Sequence, residues 1–194
     1  MGQNILVLDL ETKRTFDDTG SRSPESLGVT VVGVFDYLDM QYKVFREEDL
    51  GRLEERLTSK PLLVGFNIER FDLPVLRPYF KIRLSDIPVL DILSEVTKAL
   101  GHRVSLNSVA KATLGETKSG NGLDAIKYYE AGEWDKLEKY CLDDVRITKE
   151  IFEYGARHKE IFYLTKFDQA KARLPVQWEI EAPSLVNETQ FKLF

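Results

Sequence analysis

The chain has 194 residues, of which 43% are hydrophobic and 30% are charged, and its formal net charge is −5. This size and composition are typical of a single globular domain, and no run approaches the roughly 18 consecutive apolar residues of a membrane span. A single cysteine, Cys141, excludes an internal disulfide framework and a multi-cysteine zinc site.

The same features bear on location and partners. One cysteine fits a reducing cytoplasm, where we expect the protein to reside, and the N-terminus lacks the basic region and cleavage pattern of a signal peptide. A net charge of −5 argues against a protein that coats nucleic acid through a basic surface. It does not argue against a nucleic-acid enzyme, because a site that collects carboxylates for divalent cations is acidic until the ions bind.

The first third of the chain is rich in strand-forming sequence. Residues 4–10 (NILVLDL) are nearly all apolar, which predicts a strand buried on both faces. Residues 27–37 and 41–45 are β-rich and separated by a short turn, which predicts an antiparallel meander. The polar residues 12–26, with Gly, Ser and Pro among them, are too many for a tight hairpin and predict a mobile loop.

From Glu47 the hydrophobic period becomes helical. Leu50, Leu53 and Leu57 recur at helical spacing, and Pro61 ends the helix. Short strands are then predicted over 61–66 (PLLVGF) and 87–92, with a short helix between them over 71–80. The remaining predicted helices cover residues 92–100, 105–114, 123–131 and 134–152. Strands dominate early and helices late, without repeats or a linker, which predicts one α/β domain.

The C-terminal tail has no clear periodicity beyond Lys159. Residues 177–182 alternate weakly, which is compatible with an edge strand or with a segment that binds a partner. We therefore predict that the α/β domain covers residues 1–160. Residues 161–194 are predicted to be an extension that packs on this domain or serves as an interface, not a separate domain.

The first motif with chemical potential is Asp9-Leu10-Glu11-Thr12. Residues i and i+2 of a strand point to the same face, so Asp9 and Glu11 project together from the end of an apolar strand. Two adjacent carboxylates repel each other unless cations neutralise them, and oxygen ligands suit Mg²⁺ or Mn²⁺. The bland alternative is that both are simply solvated at a strand end.

The second motif, Asn67-Ile68-Glu69-Arg70-Phe71-Asp72, follows the buried strand PLLVGF directly. Asn67 suits a turn, Phe71 an apolar anchor, and Asp72 the start of the next helix. Asp72 is therefore either a functional acid or an ordinary helix N-cap. The motif alone leaves both open.

The third motif is Tyr140-Cys141-Leu142-Asp143-Asp144, on the longest predicted helix. Residues i and i+4 are neighbours on a helix, so Tyr140 and Asp144 present a phenol and a carboxylate on one face. Asp143 points about a quarter-turn away and is expected to be exposed or ion-paired. The alternative is purely structural: a tyrosine that packs in the core beside an aspartate that faces solvent.

Together the three motifs occur in a known order. The sequence resembles the DEDD superfamily of 3′–5′ exonucleases, in its tyrosine-containing branch, whose signatures are Asp-x-Glu, Asn-x₂₋₃-(Phe/Tyr)-Asp and Tyr-x₃-Asp. The segments GFNIERFDLPVL and YCLDDVRIT are similar to predicted exonucleases related to the proofreading domain of family B DNA polymerases. The resemblance covers roughly residues 5–152. It implies a ribonuclease H-like α/β fold, with a mixed central sheet that includes an antiparallel meander and is flanked by helices.

This resemblance also implies a mechanism. Asp9, Glu11 and Asp144 would hold one of two divalent cations, Mg²⁺ or Mn²⁺, and Asp9 would bridge to the second, which Asp72 would support. Tyr140 would orient the attacking water, since an unperturbed pKa near 10 suits orientation better than general-base catalysis. The substrate would be the 3′ end of single-stranded DNA or RNA, and the product a nucleoside 5′-monophosphate.

Substrate-binding residues are harder to assign. Thr12 and Asn67 could contact the terminal nucleotide, and Phe71 is either a stacking surface or part of the core. The lysine-bearing, glycine-rich segment 102–122, which includes Lys118, could contact phosphates or be an ordinary solvated loop. For Asp91, another acid at a strand end, we expect structural hydrogen bonding more than metal ligation.

Two further functions remain open on the sequence. One is a catalytically silent nucleic-acid-binding or scaffold domain on the same fold, since a fold alone does not decide function. The other is a metal-dependent phosphodiesterase of short oligonucleotides, for which a negative net charge is no obstacle. Four carboxylates favour catalysis, because without metals they would carry an electrostatic cost. Protein partners and oligomeric state are not indicated.

Overall fold

The fold is a central sheet with helices on both faces. It is described here from a computed structural model, over residues 4–116 and 122–178. The strands are β1 (Ile5–Thr12), β2 (Val29–Asp36), β3 (Gln41–Arg46), β4 (Leu62–Gly65), β5 (Val89–Asp91), β6 (Glu160–Leu164) and β7 (Lys171–Pro175). The α-helices are α1 (Phe16–Thr19), α2 (Leu50–Leu57), α3 (Asp72–Leu76), α4 (Ile92–Leu100), α5 (Leu106–Thr113), α6 (Gly122–Glu130) and α7 (Trp134–His158).

Five strands form the central sheet in the order β3-β2-β1-β4-β5. The strands β1, β2 and β3 pair antiparallel, while β4 and β5 join parallel to β1. The predicted mixed sheet with an antiparallel meander is therefore confirmed. Because β1, β4 and β5 run parallel, their carboxyl ends meet at one edge of the sheet.

Alternation along β1 divides the core between the two faces of the sheet. Leu6, Leu8 and Leu10 are buried in a cluster that also contains Leu53 of α2 and Val75 of α3. On the opposite face, Ile5 and Val7 are buried in a cluster with residues of α4, α5 and α7. Asp9 and Glu11 continue the Ile5–Val7 series by the strand period of two, so they are placed on the α7 side of the sheet.

The helix boundaries follow local capping signals. Asp91 ends β5 and caps α4, where its carboxylate accepts a hydrogen bond from the Ser94 N–H at 3.1 Å. Ser105 caps α5 in the same way, with 3.1 Å between its Oγ and the Ser108 nitrogen. Gly101 ends α4 in the left-handed conformation, at φ 76°, which costs a glycine little.

Three parts of the chain differ from the sequence-based predictions. The segment predicted as a mobile loop contains α1, begun by a capping box between Thr15 and Asp18, and a 3₁₀ turn at Pro24–Ser26. The long helix α7 extends to His158, six residues beyond its predicted end. The tail contains the antiparallel hairpin β6–β7, which the sequence did not predict.

The described part of the C-terminal extension packs on the rest of the chain. Ile161, Leu174, Val176 and Trp178 are buried in the same cluster as Phe152 of α7. The Trp178 ring is stacked on Phe152, with 6.0 Å between ring centroids. Of the weakly alternating residues 177–182, only Gln177 and Trp178 are described, and neither lies in a strand. None of the described helices combines the length and the apolar character needed to cross a membrane.

Candidate metal centre and substrate cleft

Three carboxylates from distant parts of the chain meet beside β1. Asp9 and Glu11 come from the strand and Asp144 from α7, and one oxygen from each lies within 4.8 Å of the other two. Glu11 and Asp144 are buried, at 8% and 2% exposure, and Asp9 is half-buried. Ligands around an octahedral Mg²⁺ at ~2.1 Å are at most about 4.2 Å apart, so this group needs little adjustment to share an ion.

The close approach of α7 to the sheet depends on Gly33. This residue faces Asp9 in the β1–β2 ladder. A Cβ at position 33 would lie 3.0 Å from Cys141 Sγ and 3.0 Å from a methyl group of Val145, both on α7. The missing side chain therefore lets α7 cross β2 closely enough to bring Asp144 to the acids of β1.

Asp72 is the fourth acid and lies at the start of α3. It is the first residue of the helix, whereas Phe71 occupies the N-cap position, so the N-cap alternative for Asp72 does not hold. Asp72 is 3% exposed, and its Oδ1 has no hydrogen-bond partner among the described residues. Burial raises the pKa of Asp72 to about 8, and the nearby charges of Asp91 and Asp144 add to the effect. A buried carboxylate oxygen without a partner fits a metal ligand.

The acids lie in an open cleft of about 480 Å³. All four of Asp9, Glu11, Asp72 and Asp144 contribute to its lining, and Arg14 is its one basic residue among those described. Its other walls are largely apolar, formed by Phe16, Phe66, Phe71, Leu123 and Ile126. We refer to this space as the acidic cleft. A lining that combines carboxylates with flat aromatic rings suits a nucleotide: cations held by the carboxylates would bind its phosphate, and the rings would contact its nucleobase or sugar.

Two of the four predicted substrate-binding residues line this cleft, Thr12 and Phe71. Phe71 is partly buried against the core and packs edge-on against Phe16, with centroids 6.4 Å apart; its role as a stacking surface for substrate stays a prediction. Asn67 does not line the cleft. It occupies the left-handed conformation, at φ 72°, in the turn after β4, and its side-chain oxygen accepts a hydrogen bond from Arg103 at 2.8 Å. Lys118 lies outside the described residues.

Tyr140 also lies outside the lining of the acidic cleft. It is 5% exposed and belongs to a buried cluster with Val31, Ala125 and Leu137, in which α6 and α7 meet. It remains one helical turn before Asp144, as its i, i+4 spacing requires. Asp91 behaves as expected: its carboxylate accepts hydrogen bonds from the backbone N–H groups of Asn67 and Glu69, at 2.9 and 3.2 Å.

Cys141 lies behind the acids and is not a candidate ligand. Its thiol is fully buried and donates to the backbone oxygen of Asp9 at 3.5 Å. Burial raises the pKa of Cys141 well above its usual value, and the charges of Asp9 and Glu11 reinforce this effect. The thiol therefore stays protonated, whereas metal ligation requires a thiolate.

Four further residues line the cleft although the sequence motifs do not point to them: Phe16, Phe66, Leu123 and Ile126. Phe16 is the most informative of these, because a phenyl ring that is 40% exposed lines the cleft from a segment predicted to be a mobile loop. A large aromatic residue five positions after Glu11, inside an otherwise polar stretch, was the available signal.

The comparison with known families agrees with this architecture. The model of the RNase H superfamily matches residues 6–155, which include β1 except its first residue, all of β2 to β5 and nearly all of α7. The chain belongs to the RNase H superfamily. No curated protein matches it. Membership confirms the ribonuclease H-like fold that the motifs implied, and it indicates a nuclease with a nucleic-acid substrate.

The matched region contains all four carboxylates, at positions 9, 11, 72 and 144. In an RNase H-like chain, the Asp9–Glu11–Asp144 cluster is compatible with a nuclease metal site. The donor atoms are all carboxylate oxygens, which suit hard divalent cations such as Mg²⁺ and Mn²⁺ more than soft metals.

Proposed function

We propose that this chain is a metal-dependent 3′–5′ exonuclease that hydrolyses phosphodiester bonds at the 3′ end of a single-stranded nucleic acid and releases nucleoside 5′-monophosphates. The observation that carries the proposal is the convergence of Asp9, Glu11 and Asp144 in a cleft that Asp72 also lines. Without cations, four carboxylates in one cleft repel each other, so the arrangement favours a site built to hold them.

Each acid has a role in this proposal. Asp9, Glu11 and Asp144 would hold one divalent cation, and Asp9 and Asp72 the second, as the family resemblance implies. Such a pair of ions, when bound, supplies a water of lowered pKa and stabilises the leaving oxygen. The partnerless Oδ1 of Asp72 supports a ligand role for that residue.

The chain's own groups would position the substrate. The rings of Phe16 and Phe71 form part of the cleft wall, where they would contact the base or sugar of the terminal nucleotide. Thr12 lies directly beside the acid pair. Tyr140 would orient the attacking water, which requires its phenol to reach the acidic cleft from the cluster beneath α6.

The decisive experiment compares end-labelled oligonucleotides. We expect a 5′-labelled single strand to give a ladder of shortened products with Mg²⁺ or Mn²⁺ and none with chelator, while a 3′-labelled strand releases labelled mononucleotide at once. Cuts in a circular strand would instead mean an endonuclease. Turnover only of di- to tetranucleotides would favour the short-oligonucleotide phosphodiesterase, and binding without turnover the silent domain.

Two adjacent aspartates provide a matched pair of variants. Asp144→Asn removes a buried carboxylate of the cluster, and we expect it to lower the hydrolysis rate about a hundred- to a thousandfold, the scale of losing an essential electrostatic group. Asp143→Asn makes the same chemical change at the next position, where the half-exposed side chain lies 3.9 Å from Arg146. This control should retain wild-type activity. Equal activity of Asp144→Asn and the wild type would remove Asp144 from the mechanism.

A further inference from the structure

A second depression, distinct from the acidic cleft, is lined by basic side chains. It has a volume of about 380 Å³ and lies between the α4–α5 connection, α5 and the turn of the β6–β7 hairpin, where its lining includes His102, Arg103, Lys111 and Lys166. A neighbouring depression of about 210 Å³ shares Arg103 and adds Arg70 and Lys98. We call the two together the basic groove. Within the described residues, five Lys and Arg line it and no Asp or Glu does.

The cations of this groove differ from those elsewhere in the described residues that form ion pairs. Lys43, Lys149 and Arg146 each lie within 3.3 Å of a carboxylate oxygen. Lys111 and Lys166 are exposed, and neither has an acidic partner among the described residues. Arg103 has a neutral partner, the side-chain oxygen of Asn67. In a chain of net charge −5, a local cluster of unneutralised cations indicates an anionic ligand.

An exposed aromatic ring stands beside the groove. Phe167 is 97% exposed in the turn between β6 and β7, directly after the groove residue Lys166. The turn is ordered by a hydrogen bond from the Thr165 N–H to the Ala170 oxygen at 2.9 Å. Asp168 accepts hydrogen bonds within the same turn, from the Thr165 hydroxyl and the Ala170 N–H. A phenyl ring held in water on an ordered turn offers a stacking surface.

The hairpin is fixed to α5, so the ring and the cations keep their relative positions. The Phe162 N–H donates to Thr113 Oγ1, and the Thr113 hydroxyl donates to the Phe162 oxygen, both at 2.9 Å. The Leu164 N–H donates to Ser108 Oγ at 2.9 Å. Stacking rings next to a line of cations is the combination by which proteins hold single strands without reading their sequence.

The basic groove connects to the acidic cleft through one turn of the chain. Phe66 lines the acidic cleft, and the next residue, Asn67, accepts the hydrogen bond from Arg103 of the basic groove. A strand with its 3′ end at the acids could therefore continue toward Arg103. The two regions also differ in how they bind phosphate. The acidic cleft needs bound cations to accept a phosphate, whereas the basic groove attracts phosphates directly.

We propose that the basic groove and Phe167 bind the single strand on the 5′ side of the scissile bond, with backbone phosphates on Arg103, Lys111 and Lys166 and a base stacked on Phe167. The inference rests on the proposed function for the placing of the 3′ end in the acidic cleft. It assigns a substrate-binding role to the hairpin β6–β7, which begins beyond the residues that the family model matches.

The test measures binding without catalysis. A 5′-fluorescein phosphorothioate oligothymidylate is titrated with the full chain in chelator, and its anisotropy is followed from low to high salt. We expect Lys111→Glu/Lys166→Glu to weaken binding at least tenfold and to reduce the log–log salt slope by about 1.4, which is about 0.7 for each phosphate that a lysine no longer neutralises. Lys60→Glu/Lys81→Glu makes the same charge change at two exposed lysines outside the groove and should leave the slope unchanged.

The stacking contact is tested separately. We expect Phe167→Ala to weaken strand binding by about tenfold with no change in salt slope, since it removes a stacking surface and no charge. Leu38→Ala is the control, because it truncates a 50% exposed apolar side chain in the β2–β3 turn. All these side chains are exposed, so every variant should unfold at the wild-type temperature.

Several outcomes would overturn the proposal. Equal weakening by both double variants would mean a general charge effect. If Lys111→Glu/Lys166→Glu lost the ability to bind inorganic phosphate but kept the strand affinity of the wild type, the groove would be a site for small anions and not for a strand. Failure of the proposed function is a separate result: a wild-type chain that binds the strand through the groove but never hydrolyses it refutes the exonuclease and supports the groove. Normal hydrolysis by Lys111→Glu/Lys166→Glu with unaltered binding refutes only the groove.

Discussion

Two buried aspartates, Asp36 and Asp72, have pKa values shifted in opposite directions. Burial disfavours the ionised form of Asp36, but hydrogen bonds from Arg56 and from the Leu38 N–H outweigh it and lower the pKa to about 2. Arg56 donates to both carboxylate oxygens, at 2.7 and 2.8 Å. Asp72 has burial without such a cation, and its pKa rises to about 8. Asp36 therefore stabilises the fold through its ion pair. Asp72, in contrast, lies in an environment typical of a functional group that binds a ligand.

The Asp36 ion pair predicts a pH-dependent loss of stability. A depressed native pKa gives stability that is present above the unfolded value near 3.9 and is lost as the pH falls through the native value of about 2. We expect Asp36→Asn to lower the free energy of unfolding at pH 7 by about 2 kcal/mol. The difference in the free energy of unfolding between Asp36→Asn and the wild type should be smaller by about 1 kcal/mol at pH 3 than at pH 7.

Urea denaturation of both proteins at pH 7, 5 and 3 measures this gap. Asp86→Asn is a suitable control, because Asp86 is exposed and lies 3.8 Å from Arg83, which is also exposed, and an ion pair between exposed side chains contributes little. A gap between Asp36→Asn and the wild type that stays constant from pH 7 to 3 would contradict the assignment of its stability to the ionised carboxylate.

At the residue scale, the motifs anticipated that Asp9, Glu11 and Asp144 lie together and that Asp72 lies near them, but they did not predict which residues surround these acids. The strand period places Asp9 and Glu11 on one face, and parallel strand ends bring the segment after β4 to the same edge. Helical spacing also places Tyr140 and Asp144 on one face of α7, but it contains no information about what covers that face. At Tyr140, that face belongs to a buried cluster that includes Ala125 of α6, and no local pattern predicts this long-range packing.

At the element scale, the docking of the C-terminal segment depends on a glycine in α7. A Cβ at Gly155 would lie 2.1 Å from the Trp178 ring, which is 3% exposed. The main chain adds a hydrogen bond from the Val176 N–H to the Lys159 oxygen at 3.0 Å. The indole therefore packs directly on the backbone of the helix.

The substitution Gly155→Ala distinguishes two effects on stability: the gain in helix propensity and the loss of packing against Trp178. In an open helical position, Gly→Ala stabilises by up to about 1 kcal/mol, and Gly51 in α2, with nothing within 4 Å of an added Cβ, provides that reference. We expect Gly51→Ala to be stabilising and Gly155→Ala to be destabilising by about 1–3 kcal/mol, because the indole must move. Chemical denaturation compares the two.

Fluorescence reports the cause of the effect. The chain has two tryptophans, so Trp134→Phe leaves Trp178 as the single emitter. In this background, Gly155→Ala should shift the native emission to the red as the indole is exposed. If Gly155→Ala proves as stabilising as Gly51→Ala, with an unchanged spectrum, the indole does not pack on the helix.

The elements predicted from sequence are those with a strong hydrophobic period. α2 is an example, since it buries Leu50, Leu53 and Leu57 on one face. The hairpin was missed because it lacks such a pattern: Ile161 is the one buried residue of β6 and Leu174 that of β7. The end of α7 was missed because Lys159, and not glycine, adopts the left-handed capping conformation, at φ 58°.

At the scale of the whole molecule, the net charge of −5 conceals a separation of charge. Among the residues that the structure describes, four carboxylates line the acidic cleft and five Lys and Arg line the basic groove. Composition predicted neither region, because opposite charges cancel in a sum over the chain. The strand order β3-β2-β1-β4-β5 was equally beyond the sequence patterns, which identify strands but not their long-range pairing.

The cost of the acidic cleft should appear in the stability of the whole chain. With chelator present, the carboxylates of Asp9, Glu11 and Asp144 repel each other, since an oxygen from each lies within 4.8 Å of the others. Glu11→Gln removes one charge and keeps the shape, so we expect it to raise the melting temperature by about 2–4 °C in chelator, equivalent to about 1 kcal/mol.

With metal bound, the wild type should have a higher melting temperature than Glu11→Gln, the reverse of the order in chelator. An ion that binds only the native state stabilises it by RT ln(1 + [ion]/Kd), so Mn²⁺ or Mg²⁺ well above its dissociation constant should raise the melting temperature of the wild type by several degrees. Glu11→Gln lacks one ligand and should respond much less, while Glu48→Gln, the same change at an exposed position, should respond as the wild type does. Differential scanning fluorimetry across a metal titration decides the matter. Equal metal shifts in wild type and Glu11→Gln would mean that the ions bind elsewhere, and the acidic cleft would then no longer be the candidate metal centre.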